Sequence, residues 1–150
     1  MAGSLRVRVI AVGRIKERGV REAIDDYAKR IGHYARFEEV ELKDGDAAAV
    51  RARFDKAIGE RSRIVALEVD GKGLTSEGLS RYVGRCEGEG VSELAFLIGG
   101  SYGLPKETSQ KADLRLSLSA MTMPHRLCRL FLMEQVYRSF TILRGEPYNH

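Results

Sequence analysis

Apolar and polar residues alternate along this chain, at every second position in some segments and at every third or fourth position in others. The first spacing is typical of half-buried strands and the second of amphipathic helices. Short, continuously apolar runs indicate strands that are buried on both faces. In chain order, the patterns predict a strand over 5–12, a helix over 17–34, a strand over 37–42, a helix over 46–58, a strand over 64–67, a helix from about 75, a strand over 94–98, a short helix from 105, a strand over 114–118 and a long helix over 124–143.

The regular alternation of predicted strands and helices is typical of the α/β class, with a mostly parallel sheet flanked by helices. No linker, repeat or low-complexity stretch interrupts this order, so residues 1–150 are predicted to form a single domain. No apolar run approaches the roughly 20 residues that a membrane helix needs. The alternating opening of the chain is not the pattern of a signal peptide, and a cytoplasmic protein is expected.

The last predicted helix is apolar on almost all sides between residues 127 and 133, with Arg129 as its lone charge. A helix of this kind requires burial on all sides, which a small domain does not readily provide. We therefore expect a two-fold self-association surface, with a helix buried inside one chain as the alternative. Arg129 itself needs an anion nearby. The candidates are the carboxylate of Glu134, an RNA phosphate or the carboxylate of a cofactor.

The composition changes this picture little. With 43% hydrophobic and 31% charged residues, the chain has enough apolar material for a core, and its net charge of +4 permits an anionic partner without requiring one. Cys86 and Cys128 lack a CxxC spacing and are interpreted as buried thiols in a reducing compartment. The three histidines are far apart in sequence, so no metal site is predicted.

Three loops follow predicted strands, over 67–73, 98–105 and 118–125, and in a parallel sheet ligands bind beyond the carboxyl ends of the strands. The second loop is rich in glycine but matches neither a dinucleotide fingerprint nor a P-loop, so a nucleotide there would be held mainly by backbone groups. Tight turns and a packed strand-to-helix connection are the structural alternatives. The predicted cofactor-binding residues are Leu67, Gly99, Gly100, Gly103, Leu118, Ser119, Ala120, Met121, Thr122 and Met123.

His125 stands at the predicted start of the last helix. The positive field of a helix N-terminus favours a neutral imidazole, which suits a hydrogen-bond acceptor or a base. A capping or surface histidine is the alternative. The polar tail that follows this helix carries Tyr148, whose ring could stack on a base.

Several of these segments together carry a specific signature, and the resemblance spans essentially the whole chain except 44–61. The segments are VIAVGRIK over 9–16, LEVDGK over 67–72, LIGGSYGL over 97–104, LSLSAMTMPH over 116–125, EQVYR over 134–138 and RGEPYNH over 144–150. They resemble the RlmH family of the SPOUT superfamily.

That resemblance implies an α/β-knot fold with a C-terminal trefoil knot, a rare exception to unknotted topology. It implies a homodimer that uses S-adenosylmethionine (SAM) to methylate N3 of a pseudouridine in 23S ribosomal RNA, on an assembled ribosome. The family's cofactor positions fall on Leu67, on Gly99 and on residues 118–123 of this chain, and no metal is implied.

A mechanism follows as a hypothesis. His125 is the first candidate for the general base that removes the N3 proton, and Tyr148 or His150 of the partner subunit are second choices. Arg129 and Arg138 are expected to hold phosphate or to stabilise the imide oxygens. On this hypothesis, replacing His125 by alanine keeps SAM binding and abolishes methyl transfer.

Two other functions stay open. One is methylation of transfer RNA by an enzyme of the same superfamily. The other is a non-catalytic ribosome-binding factor, against which the intact glycines of the second loop argue. The interpretation as a dehydrogenase is rejected because the dinucleotide-binding fingerprint is missing from the sequence.

Overall fold

The computed structural model describes residues 5–148, and alternating strands and helices occupy most of that range. The predicted element order is confirmed. The elements are β1 (Arg6–Val12), α1 (Arg18–Ile31), β2 (Arg36–Leu42), α2 (Ala47–Ala57), β3 (Ser62–Gly73), α3 (Ser76–Gly88), β4 (Glu93–Ile98), α4 (Lys106–Gln110), β5 (Leu114–Ser117) and α5 (His125–Leu143).

The five strands form one sheet in the order β2-β1-β4-β3-β5, and every neighbouring pair is parallel. The predicted parallel sheet is therefore confirmed. Because all strands point the same way, their carboxyl ends lie along a single edge, where the connections to the helices emerge. The trefoil knot that the resemblance implies and the single-domain assignment stay predictions.

Alternate residues of the central strands serve two cores, as the two-residue spacing requires. Val7 and Val9 of β1 pack into the larger core, whereas Ile10 and Val12 pack into a smaller one on the opposite face. The larger core also receives the buried residues of α1, α3 and α5, and the smaller core receives those of α2, among them Phe54. Helices thus cover both faces of the sheet.

The third strand differs from its prediction. The sequence predicts a short strand over 64–67 that Asp70 and Gly71 end, but β3 continues through both residues to Gly73. Its pairing with β5 breaks after Leu67 and resumes at Lys72, so the four residues between them leave the ladder. A Cβ on Gly71 would lie 2.7 Å from the backbone oxygen of Arg115, so this glycine lets the strand pass close to β5.

Helix α5 packs against α1 and α3, and its buried residues include Leu132, Val136 and Phe140. Its outer face remains apolar. Leu127 is 43% exposed and Phe131 is 42% exposed in the single chain. The helix that is apolar on almost all sides is thus half covered by its own chain.

Candidate active site

A cavity of about 290 Å³ opens at the carboxyl edge of the sheet, where β3, β4 and β5 meet the three loops singled out in the sequence. Its volume is near the lower end of the roughly 300–1,000 Å³ that is typical of small-molecule sites. The predicted residues that line it are Leu67, Gly99, Gly100, Gly103, Leu118, Ser119, Met121, Thr122, Met123 and His125. Ala120 was also predicted and is not among the lining residues.

The glycine-rich loop forms one wall of this cavity and is folded back tightly on itself. The amide of Gly103 donates to the carbonyl of Gly100 at 2.9 Å. A Cβ on Gly99 would lie 2.2 Å from the carbonyl carbon of Gly103 and 2.4 Å from the nitrogen of Leu104. Gly103 has a φ of +79°, in the left-handed region that glycine adopts without strain. At these glycines the wall is therefore made of backbone, which a ligand can approach closely.

The loop between β5 and α5 forms the opposite wall with small side chains and thioethers. The hydroxyl of Ser119 accepts a hydrogen bond from the amide of Met121 at 2.9 Å, which fixes the turn. The hydroxyl of Ser117 donates to the carbonyl of Ser119 at 3.0 Å. Met121 is 78% exposed at the rim, and Met123 also lines the cavity. Flexible thioether side chains of this kind fit the face of a flat aromatic group.

His125 begins α5, as predicted, and lies half-buried in the cavity wall. Its Nδ1 is 3.1 Å from the carbonyl oxygen of Gly99, and its Nε2 is 3.0 Å from Nη2 of Arg129. Burial lowers the pKa of His125, and the positive charge of Arg129 lowers it further. The imidazole is therefore neutral near pH 7. The role of His125 as a general base stays a prediction, and it requires the contact with Arg129 to open.

Arg129 lies behind this histidine and is 0% exposed. Its Nη1 donates to Glu39 Oε2 at 2.8 Å and to Glu41 Oε2 at 2.5 Å, and its Nη2 donates to the carbonyl of Gly13 at 3.0 Å. The anion that the sequence required is thus a pair of glutamates on β2, and not Glu134. Arg129 does not line the cavity, so contact with RNA phosphate or imide oxygens stays a prediction that would need this cluster to rearrange.

Arg138 and Tyr148 lie near the other end of α5. Thirteen residues separate Arg138 from His125, which is about 20 Å along a helix. Arg138 pairs with Glu134 at 2.6 Å, and its guanidinium lies 4.0 Å from the ring centroid of Tyr148. The hydroxyl of Tyr148 also donates to Glu134. Within one chain these residues do not reach the cavity.

The environment of Tyr148 bears on its predicted role as an alternative base. Burial raises the pKa of Tyr148, and its hydrogen bond to Glu134 raises it further. A tyrosine with a raised pKa keeps its proton, which favours a hydrogen-bond donor over a base. His150, the other alternative, lies outside the described residues.

Sequence reasoning did not predict six of the lining residues, which are Glu68, Val69, Ile98, Ser101, Leu116 and Cys128, nor the two glutamates that hold Arg129. Cys128 lines the cavity one turn after His125, and that spacing on the helix was the available signal. Glu39 and Glu41 stand two apart on β2 and therefore share a face of the strand. Their spacing on a predicted strand indicates a shared face, but it does not indicate that Arg129 is the residue they bind.

Within residues 5–148, no group of three or more histidine, cysteine or acidic side chains is arranged to hold a metal ion. The helices in the same range are all too short or too polar to cross a membrane.

The relatives that sequence comparison finds are named as methyltransferases. A family model described as "Predicted SPOUT methyltransferase" matches residues 5–150. A protein of Sorangium cellulosum named ribosomal RNA large subunit methyltransferase H is 47% identical over 97% of this chain and 100% of its own length. A protein of the same name from Geobacter sulfurreducens is 42% identical over the same shares of the two chains.

Solved structures share the fold at low sequence identity. A "probable methylase family protein" from Haemophilus influenzae aligns with a TM-score of 0.62 at 12% identity, covering 100% of this chain and 72% of the other. The SpoU methyltransferase AviRb from Streptomyces viridochromogenes, solved with the cofactor AdoMet, aligns with a TM-score of 0.50 at 12% identity, covering 93% of this chain and 59% of the other.

Proposed function

The chain belongs to the SPOUT methyltransferase family that contains the ribosomal RNA large subunit methyltransferase H proteins, and on that premise we propose that it methylates N3 of a pseudouridine in 23S ribosomal RNA. SAM supplies the methyl group: the N3 lone pair takes the methyl carbon, the C–S bonding pair stays on sulfur to give S-adenosylhomocysteine, and the N3 proton is released to solvent. The relatives' names support the coarser part, an rRNA methyltransferase.

The observation that carries the proposal is the cavity between the glycine-rich loop and the loop after β5. The residues present fit SAM. Gly99 and Gly100 carry no side chain, so the edge of an adenine ring can approach their backbone closely, and Met121 and Met123 offer apolar surface to its face. The task of these walls is to orient the methyl donor toward the nucleophile, which lowers the barrier through proximity.

A homodimer is part of the proposal. The exposed apolar face of α5, with Leu127 and Phe131, offers a surface that a second copy would bury. A two-fold axis across α5 would also bring the far end of one helix toward the near end of the other. Arg138 and Tyr148 of one subunit would then approach the cavity of its partner, where a guanidinium can hold phosphate or an imide oxygen.

The first test is calorimetric titration of the purified protein with SAM, using Gly99→Trp as the variant whose glycine-rich loop cannot keep its native conformation. Binding of about one SAM per cavity, lost in the variant, is expected. An absence of binding to the native protein, with the fold intact by circular dichroism, would favour a ribosome-binding factor without catalysis.

The second test is methyl transfer to 70S ribosomes, free 23S RNA and transfer RNA, read by primer extension. A methyl group at N3 blocks base pairing and stops reverse transcriptase, whereas one at N1 of pseudouridine does not. We expect a stop in 23S RNA when ribosomes are the substrate and little product with free RNA, because a net charge of +4 is small for recognition of RNA alone. Efficient methylation of transfer RNA would overturn the substrate assignment.

A further inference from the structure

The ring of His125 is held at both nitrogens, and each partner has a fixed hydrogen-bonding role. The carbonyl oxygen of Gly99, 3.1 Å from Nδ1, can only accept. The guanidinium of Arg129, 3.0 Å from Nε2, can only donate. Nδ1 must therefore carry the proton and Nε2 must present its lone pair to Arg129. The contact with Arg129 requires a neutral ring, because a protonated Nε2 could not accept, and both contacts select the neutral tautomer with the proton on Nδ1.

Arg129 is itself held in place by acceptors other than His125. It is fully buried, and it donates to Glu39, Glu41 and the carbonyl of Gly13 besides His125. Arg21 donates to both glutamates from the outer side, so two arginines and two glutamates balance in charge. A guanidinium has no acceptor atom, so Arg129 can only donate to Nε2.

The two ends of this arrangement lie on different walls of the cavity. Gly99 begins the glycine-rich loop after β4, and His125 ends the loop after β5 and begins α5. The chain of hydrogen bonds from β2 through Arg129 and His125 to Gly99 therefore ties both walls to the sheet. Removing the imidazole from this chain of hydrogen bonds would leave one N–H of the buried Arg129 without its acceptor. It would also allow the carbonyl of Gly99 to rotate.

We propose that His125 is a positioning residue, a neutral crosslink that holds the glycine-rich loop in its cofactor-binding shape, and that it does not take up the proton of the nucleophile. The turnover part of this proposal rests on the proposed methyltransferase function, whereas the tautomer and the cofactor affinity do not. The charged groups that influence the ring are Arg129 on its own helix, Glu41 on β2 and Asp44 after β2.

Three substitutions separate a crosslink from a base. Glutamine places an amide near the position of Nε2, where it can accept from Arg129, and asparagine places one near Nδ1, where it can donate to Gly99. Neither can serve as a base at neutral pH, and alanine makes neither contact. A general base contributes about 10²–10⁴-fold to the rate.

We expect His125→Ala to weaken SAM binding by about tenfold or more, as the loss of two hydrogen bonds implies. His125→Gln or His125→Asn should restore SAM affinity and keep kcat within about tenfold of the native enzyme. The opposite split would overturn the proposal: SAM affinity unchanged in all three variants while kcat falls by about 100-fold or more in each. Thermal melting of each variant excludes unfolding as the cause of a loss.

A measurement on the native protein is independent of turnover and of any variant's folding. Nitrogen-15 NMR of protein labelled at the imidazole nitrogens reports which nitrogen carries the proton. We expect a neutral ring with Nδ1 protonated near pH 7, and a titration midpoint below that of a histidine in the unfolded chain. Protonation of Nε2 in the neutral ring, or a charged ring at pH 7, would overturn the crosslink even if methyl transfer to RNA is fully established.

Discussion

Replacing Gly99 by alanine tests whether the backbone of the glycine-rich loop forms the cofactor site. The added Cβ would lie 2.2 Å from the carbonyl carbon of Gly103 and 2.4 Å from the nitrogen of Leu104. Carbon atoms pack best at about 3.5–4.0 Å, so the loop would have to retreat by more than about 1 Å. All three of the nearest atoms are backbone, which cannot swing aside as the tip of a side chain can.

The expected magnitude follows from the cost of forcing a methyl group into a packed site, about 1–3 kcal/mol. If the loop moves to relieve the clash, that energy is lost from SAM binding, which corresponds to a decrease in affinity of about 5- to 150-fold. If the loop holds, the same energy is lost from the free energy of unfolding instead. Calorimetric titration with SAM and urea denaturation together measure both quantities.

Gly88→Ala is the matched control. Gly88 is the last residue of α3, and a Cβ there would meet nothing within 4 Å. Alanine is the better helix former by about 1 kcal/mol, so this variant should bind SAM normally and be at least as stable as the native chain. If Gly99→Ala kept both native SAM affinity and native stability, the loop geometry argued above would be wrong.

Three further predictions concern other parts of the molecule. Phe131→Glu places a charge on the exposed face of α5, and we expect analytical ultracentrifugation to show monomers where the native chain sediments as a dimer. The pKa of His125 is lowered from 6.5, so as the pH falls this histidine takes up a proton in the unfolded chain before it does so in the folded chain. The free energy of unfolding should therefore decrease from pH 7 towards pH 5. Urea denaturation should show a smaller decrease for His125→Gln. Tyr148→Phe removes the hydroxyl that donates to Glu134 but keeps the ring beside Arg138, so the free energy of unfolding should fall by about 1–2 kcal/mol while SAM affinity stays unchanged.

Local spacing was sufficient to predict the order of elements, the parallel sheet and the three loops around the cavity. These features follow from short-range periodicity and from the rule that parallel strands expose their carboxyl ends together. The predicted extent of β3 was wrong because Asp70 and Gly71 have the composition of a turn, whereas the strand pairs with β5 again beyond them, at Lys72 and Gly73. The length of β3 depends on pairing with a strand that is distant in sequence, which local composition does not indicate.

The partners of Arg129 could not be predicted for the same reason. Glu134 lies five residues away and was the natural choice from sequence, but it pairs with Arg138 one turn further along the helix. Glu39 and Glu41 are about 90 residues distant from Arg129, and only the packing of α1 and α5 over β2 brings them together. Non-local ion pairs of this kind become visible only once the order of the strands is known.

The buried cluster around Arg129 is not explained by stability alone. Desolvating charged groups costs about as much as their attraction returns, and well-packed apolar residues in such places are often equally stable. What apolar residues could not supply is a fixed donor aimed at Nε2 of His125. Because Glu39, Glu41 and the carbonyl of Gly13 each accept from Arg129, the guanidinium has little freedom to turn, and the second N–H of its Nη2 is directed at the histidine, whereas its Nε has no partner among the described residues. The orientation of one imidazole, and through it the carbonyl of Gly99, is thus determined by residues on β2 that never touch the cavity.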